Sequence, residues 1–161
     1  MTPHERSVLI NQYKEGYKRV AEALRGITEE ELDFHRAPGK WCAREIVHHL
    51  ADSEMTSAIR LRRLLVEHQP YIQGYDQDEF ARKLHYSSRP IEPALNALEA
   101  AISTTTQLLH LMSEDDWKRK GEHSDSGPYS PETWLQIYAP HARNHAEQIR
   151  HSRVVFKEKN D

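Results

Sequence analysis

The six glycines and eight prolines of this 161-residue chain gather mostly in four places, residues 26–39, 70–74, 90–93 and 121–131. Both residue types interrupt regular helix, so their placement leaves four long stretches, and each repeats its apolar residues every three or four positions. The first, about Pro3 to Arg25, carries Val8, Leu9, Tyr13, Tyr17, Val20, Ala21 and Leu24; its only flaw as a helix is Gly16. The second runs from about Cys42 to His68 and is closed by Pro70. The third begins near Pro90 or Pro93, where proline suits a first turn, and carries Ile91, Leu95, Leu98, Ile102, Leu108, Leu109 and Met112. The fourth opens on Ser130-Pro131-Glu132, an N-cap followed by proline at the first helical position, and continues to about Phe156. Between them, Thr28 with Glu31 and Ser113 with Asp116 have the form of helix-opening caps. The segment from Tyr71 to Ser88 predicts one short helix around Asp76 to Leu84, and the polar stretch from Lys118 to Tyr129 reads as an exposed loop. No convincing strand stands out, and no internal repeat.

Four amphipathic helices of roughly 20–27 residues, each about 30–40 Å long, predict an all-α fold. Its natural form is an antiparallel four-helix bundle with short extra helices in the connections, although a long second connection also admits a crossover. The length fits a single domain, residues 1–161, able to bury roughly 70% of its unfolded surface. A metal would therefore serve chemistry rather than staple the fold. Apolar runs are only a few residues long, far short of the ~20 that span a bilayer, so no membrane partner is expected. The charged start, Met1-Thr2-Pro3-His4-Glu5-Arg6, has no apolar leader-like core, which makes the cytoplasm the expected location. Twenty-two basic against 25 acidic residues, a formal charge of −3, argue against a dedicated nucleic-acid surface. A single cysteine, Cys42, excludes an intrachain disulfide and any CxxC site.

Eleven histidines are the unusual entry in the composition. His141 and His145 lie one helical turn apart and fall near the middle of the stripe formed by Trp134, Ile137, Tyr138, Ile149, Val155 and Phe156. Two imidazoles on one apolar face are costly to bury without a shared purpose, and this spacing suits two ligands on one ion. The pair is not a zinc-protease motif, because Ala142 stands where a catalytic Glu would follow the first histidine. Pro140, inside the helix, removes one backbone bond and predicts a kink just before His141. A third ligand should come from another helix, and the second helix offers both His48 and His49. Periodicity does not choose between them, since both sit well off that helix's apolar centre.

Trp41 followed by His49-Leu50-Ala51-Asp52-Ser53-Glu54, then Ile59-Arg60, then Gly74-Tyr75-Asp76, and finally His141-x3-His145 with Gln148-Ile149, resembles the DinB-like superfamily over about residues 8–152. The likeness is strongest to its YfiT and bacillithiol S-transferase-like branch, whose members have also been described as metal-dependent hydrolases. The resemblance implies a four-helix bundle that often dimerises and one divalent ion per chain, zinc or nickel, held by His49, His141 and His145. Two positions depart from that branch: Pro140 replaces an aromatic and Gly74 a proline. Both bear on the shape of the pocket.

Three neutral imidazoles leave a coordination position open, the arrangement of a catalytic metal. The resemblance favours transfer of a low-molecular-weight thiol to an electrophilic small molecule. Hydrolysis by metal-bound hydroxide is the alternative, and a metal- or ligand-binding stress-response module without turnover is the non-enzymatic one. Asp52 and Gln148 are candidates to orient a ligand or a bound water from behind the metal ligands; for Asp52 a solvated carboxylate is an equal reading. Glu45 is read as a surface charge rather than a general base, and Cys42 as structural. Arg60, Arg62 and Arg63 read as mostly solvated, with Arg60 reaching a substrate only if the pocket extends down the helix. Trp41 and Trp134 are read as packing the ends of the bundle. Tyr71, Ile72 and Tyr75 are read as exposed apolar residues that add slightly to the expectation of a homodimer.

Overall fold

The computed structural model describes residues 1–160. The first long stretch forms two helices, α1 (Pro3–Lys14) and α2 (Gly16–Leu24), which meet at Glu15 and Gly16. A short α3 (Glu29–Leu32) opens on the Thr28–Glu31 capping box. Next come α4 (Ala43–Val66), β1 (Tyr71–Ile72), α5 (Gln77–Lys83), a single 3₁₀ turn at Tyr86–Ser88, α6 (Glu92–Leu111) and α7 (Glu114–Trp117). The chain ends with β2 (Gly121–His123), β3 (Gly127–Tyr129) and α8 (Pro131–Asn160). Among the described residues no helix is long and apolar enough to cross a membrane.

The long helices make a four-helix bundle in which α4 packs on α6 and α8, and the α1–α2 unit packs on the same two. Polar contacts set their directions. Arg6 meets Glu132 and Arg153 meets the Ala23 carbonyl, so the α1–α2 unit and α8 run parallel. His48 reaches the Arg89 carbonyl and Arg62 reaches Thr105, so α4 and α6 also run parallel. Helix α4 is antiparallel to α8, as Arg60 with Tyr138 and His49 with His141 show. A parallel α4–α6 pair needs a connection that travels back the length of the bundle, and residues 67–91 supply it. The crossover admitted by the long second connection is therefore the one adopted, and that connection runs past the histidine face of α4.

Gly16 explains the close approach of α2 to α8. A Cβ added there would stand 2.9 Å from the Cβ of Ala142, the residue after His141. Gly16→Ala is expected to cost about 1–3 kcal/mol by overpacking, despite alanine's better helix propensity, and urea unfolding of the two proteins measures it.

The stretch from 118 to 129 is not an open loop. β2 and β3 form an antiparallel hairpin, and β1 adds to β2 in parallel, Tyr71 opposite Glu122 and Ile72 opposite His123. Such short strands carry too little alternation to be recognised along the chain. The partner of β1, moreover, lies about fifty residues away along the chain. Ile72 is consequently a core residue rather than an exposed one, whereas Tyr71 is exposed. Gly74 belongs to the same seam. Its N–H donates to Ser124 Oγ at 2.8 Å, and the Asp125 carboxylate occupies the place a Cβ would take. A proline here would have neither the N–H nor the room.

Candidate metal centre

Adjacent residues on a helix point about 100° apart, and α4 lies between α6 and α8. His48 therefore turns toward the α6 side, where its Nε2 meets the Arg89 carbonyl at 3.1 Å and its ring stacks on Tyr86. His49 turns toward α8. Its Nε2 lies 3.3 Å from His141 Nε2, and its ring centroid lies 4.9 Å from that of His145. One ligand atom from each of His49, His141 and His145 falls within 4.8 Å of the other two. Nitrogens bound to a tetrahedral zinc at about 2.0–2.1 Å stand roughly 3.3–3.4 Å apart, so the His49–His141 spacing already fits a shared ion. His49 is buried, and the α8 pair is half-buried at the edge of the bundle rather than inside the core.

Burial, reinforced by the neighbouring imidazoles, pushes His49 down to about 3 and His145 down to about 4. Both are neutral near pH 7, the form that binds metal. The shift has a consequence for the metal-free fold. An unfolded histidine takes up its proton near pH 6.5, whereas the folded ones refuse it down to about 3–4. Their contribution to stability is complete above about 6.5 and falls away as the pH drops toward that lower range. Metal-stripped protein should lose stability between pH 7.5 and 4.5, and a His49→Gln variant should lose less over the same interval. Urea titrations at the two pH values compare them.

The groups behind the imidazoles complete the fit. His145 Nδ1 donates to Gln148 Oε1 at 3.0 Å, which leaves Nε2 free toward the cluster. Behind His141 stands Glu54, a fully buried carboxylate whose Oε2 accepts from Tyr13 O–H at 2.8 Å. Its Oε1 has no hydrogen-bond partner and lies 3.8 Å from His141 Nδ1, which has none either. A buried carboxylate held only by hydroxyls is costly, and a cation drawn to the neighbouring imidazole cluster offsets it. The three-histidine cluster and its surroundings thus suit a divalent metal.

The remaining residues singled out along the chain have definite places. Asp52 accepts from the Tyr86 hydroxyl and is half-buried, facing the connection rather than the imidazole cluster. Glu45 is not a free surface charge: its Oε2 accepts the Cys42 N–H at 2.9 Å and closes the start of α4. Cys42 is buried and its thiol is raised to about 11 by that burial. Trp134 is fully buried in the core, but Trp41 packs its ring 4.7 Å from that of His49 and belongs to the site. Arg60 is buried, not solvated. It donates to Tyr138 Oη and the Gln73 carbonyl, and its guanidinium lies over the Tyr75 ring. Arg63 is half-buried and pairs with Glu67.

A cleft of about 320 Å³ opens beside the cluster, lined among others by Trp41, Ile46, His145, Gln148, Arg36 and Lys40. Glu54 and Tyr13 escaped the sequence reading because they lie on different helices and look like ordinary members of amphipathic segments. The one available signal was a carboxylate placed on the buried side of α4.

The sequence profile of the DinB superfamily matches residues 12–149. A protein of Oceanobacillus iheyensis named "Putative metal-dependent hydrolase OB0782" is 34% identical over 140 residues, covering 87% of this chain and 81% of that protein. A Bacillus cereus protein named "Putative metal-dependent hydrolase BCAH820_2714" is 30% identical over 130 residues, 81% of this chain and 75% of that protein. Among solved structures, YfiT from Bacillus subtilis, described as a probable metal-dependent hydrolase with an unusual four-helix bundle topology, superposes with a TM-score of 0.88 at 27% identity, over 94% of this chain and 87% of its own. A mycothiol-dependent maleylpyruvate isomerase shares the fold alone, with a TM-score of 0.71 at 16% identity over 92% of this chain and 63% of its own.

Proposed function

Since this chain belongs to the DinB superfamily, we propose that it is a divalent-metal-dependent enzyme that transfers a low-molecular-weight thiol to an electrophilic small molecule. His49, His141 and His145 are its metal ligands, with zinc or nickel as the ion. The observation that carries this reading is a cluster of three imidazoles beside an open cleft, with no carboxylate in the cluster. Neutral ligands leave the ion its full charge, and when bound it would stabilise an anionic sulfur or oxygen at neutral pH.

The chain's own residues do the rest. Gln148 holds the His145 imidazole from behind. Trp41 and Ile46 give the cleft an apolar wall that excludes water from one side. Arg36 and Lys40 line the same cleft without ion-pair partners among the described residues and outnumber its one carboxylate, Asp78, which favours a thiol that carries negative charge. The names of the relatives from Oceanobacillus and Bacillus favour hydrolysis as the second reading.

The test is a screen of zinc- and nickel-loaded protein with several thiols, bacillithiol, glutathione, mycothiol and cysteine among them, and a fluorogenic electrophile such as monochlorobimane. Adduct formation should exceed the uncatalysed rate, disappear with chelator and return with metal. Metal-dependent cleavage of esters or amides with no thiol accelerated would transfer the assignment to a hydrolase. No turnover of either kind would leave a binding module.

A further inference from the structure

Among the described residues, the buried polar side-chain atoms left without a hydrogen-bond partner are Glu54 Oε1, His141 Nδ1 and Arg60 Nε. The first two face each other at 3.8 Å, just beyond hydrogen-bond length, at the base of the histidine cluster. His141 turns its other nitrogen, Nε2, toward His49. A neutral imidazole has one N–H, so a ligating Nε2 requires the proton on Nδ1. That proton points at the one carboxylate oxygen in the core that has nothing to accept. Glu54 is held in place from the far side: Tyr13 of α1 donates to Oε2, and the Ser57 hydroxyl lies 3.4 Å from the same oxygen. Tyr13 is itself locked edge-on against Trp134.

We propose that Glu54 is the positioning residue of the centre: in the metal-loaded protein it accepts the His141 Nδ1 proton, presents Nε2 to the ion, and adds a buried negative charge opposite it, with Tyr13 holding the carboxylate. The assignment rests on the three-histidine metal reading above. It gives His141 a charged support where His145 has the neutral amide of Gln148. It also makes α1, which contributes no ligand, part of the metal site.

A positioning role and a merely structural one move two observables differently. Glu54→Gln keeps the shape and an acceptor oxygen but removes the charge. Its metal-free form should unfold at the same or a higher urea concentration than the parent, because an unpaired buried carboxylate has gone. Its zinc affinity, by competition with a chromophoric chelator, should nevertheless fall about 10–100-fold. Tyr13→Phe, which leaves the charge but frees the carboxylate, should weaken zinc severalfold. In the unsubstituted protein, long-range proton–nitrogen NMR of the zinc form should show His141 protonated at Nδ1, with a downfield proton protected from exchange. Zinc affinity within twofold of the parent in Glu54→Gln, or a His141 protonated at Nε2, overturns this role while leaving the three-histidine site standing. A parent protein that takes up no zinc or nickel overturns both.

Discussion

Replacing any one of His49, His141 or His145 by alanine should lower zinc affinity by two to three orders of magnitude. A four-ligand structural zinc site is worth about 10–16 kcal/mol, so one ligand carries roughly 3–4 kcal/mol, and each 1.4 kcal/mol is a factor of ten. The purified parent should carry close to one transition-metal ion per chain, and each variant close to none after dialysis against dilute chelator. Because His141 and His145 sit at the edge of the bundle, their variants should keep the helical circular dichroism of the parent. His48→Ala is the internal control. That ring is as buried as that of His49 but faces Arg89 and Tyr86, so its loss should cost stability and leave the metal in place. Full metal content in the His141 and His145 variants would sink the assignment.

The largest stability effect should come from Trp134→Ala, at about 3–5 kcal/mol. Trp134 is completely buried, packs edge-on against Tyr13 and stacked on Tyr138 with both centroids 5.2 Å away, and donates its indole N–H to the Ser57 carbonyl at 2.9 Å. Truncation leaves a cavity and removes the indole bond, while the Ser57 carbonyl keeps its acceptor role within α4. Against a total stability of order 5–15 kcal/mol, the variant should be poorly folded at 37 °C. Trp134→Phe should lose only part of this. Denaturant unfolding measures both. Zinc binding should weaken in step, because Tyr13 and Tyr138 are the neighbours through which Trp134 borders Glu54 and His141. A Trp134→Ala protein as stable as the parent would show that the α1–α4–α8 seam is not the centre of the core.

Several features were readable along the chain because each depends on residues a few positions apart. The Thr28–Glu31 and Ser113–Asp116 boxes close on themselves within one turn. The four helical stripes follow from a 3.6-residue period, and His141 with His145 share a face because four residues make about one turn. The Gly16 flaw in the first stripe is where α1 passes into α2. α8 continues helically from Pro131 to Asn160 through Pro140, and the carbonyl that the proline leaves without its helical donor belongs to Gln136, an exposed residue that water can satisfy.

Periodicity places a side chain only relative to its own helix axis. It cannot say which neighbour that side meets, since this depends on how the connections order the helices around the bundle. That ordering turns His49 rather than His48 toward α8, buries Arg60 beneath Tyr75, and brings β1 from one connection beside the hairpin of another. It also brings Tyr13 of α1 to Glu54 of α4, forty-one residues apart in the chain. The sequence by itself determined the helices, their caps and the paired histidines of α8, all products of local geometry. Only the tertiary structure decided the third imidazole, the carboxylate behind the second and the tryptophan beside the cleft, because each is a contact between helices that the chain joins only through long connections.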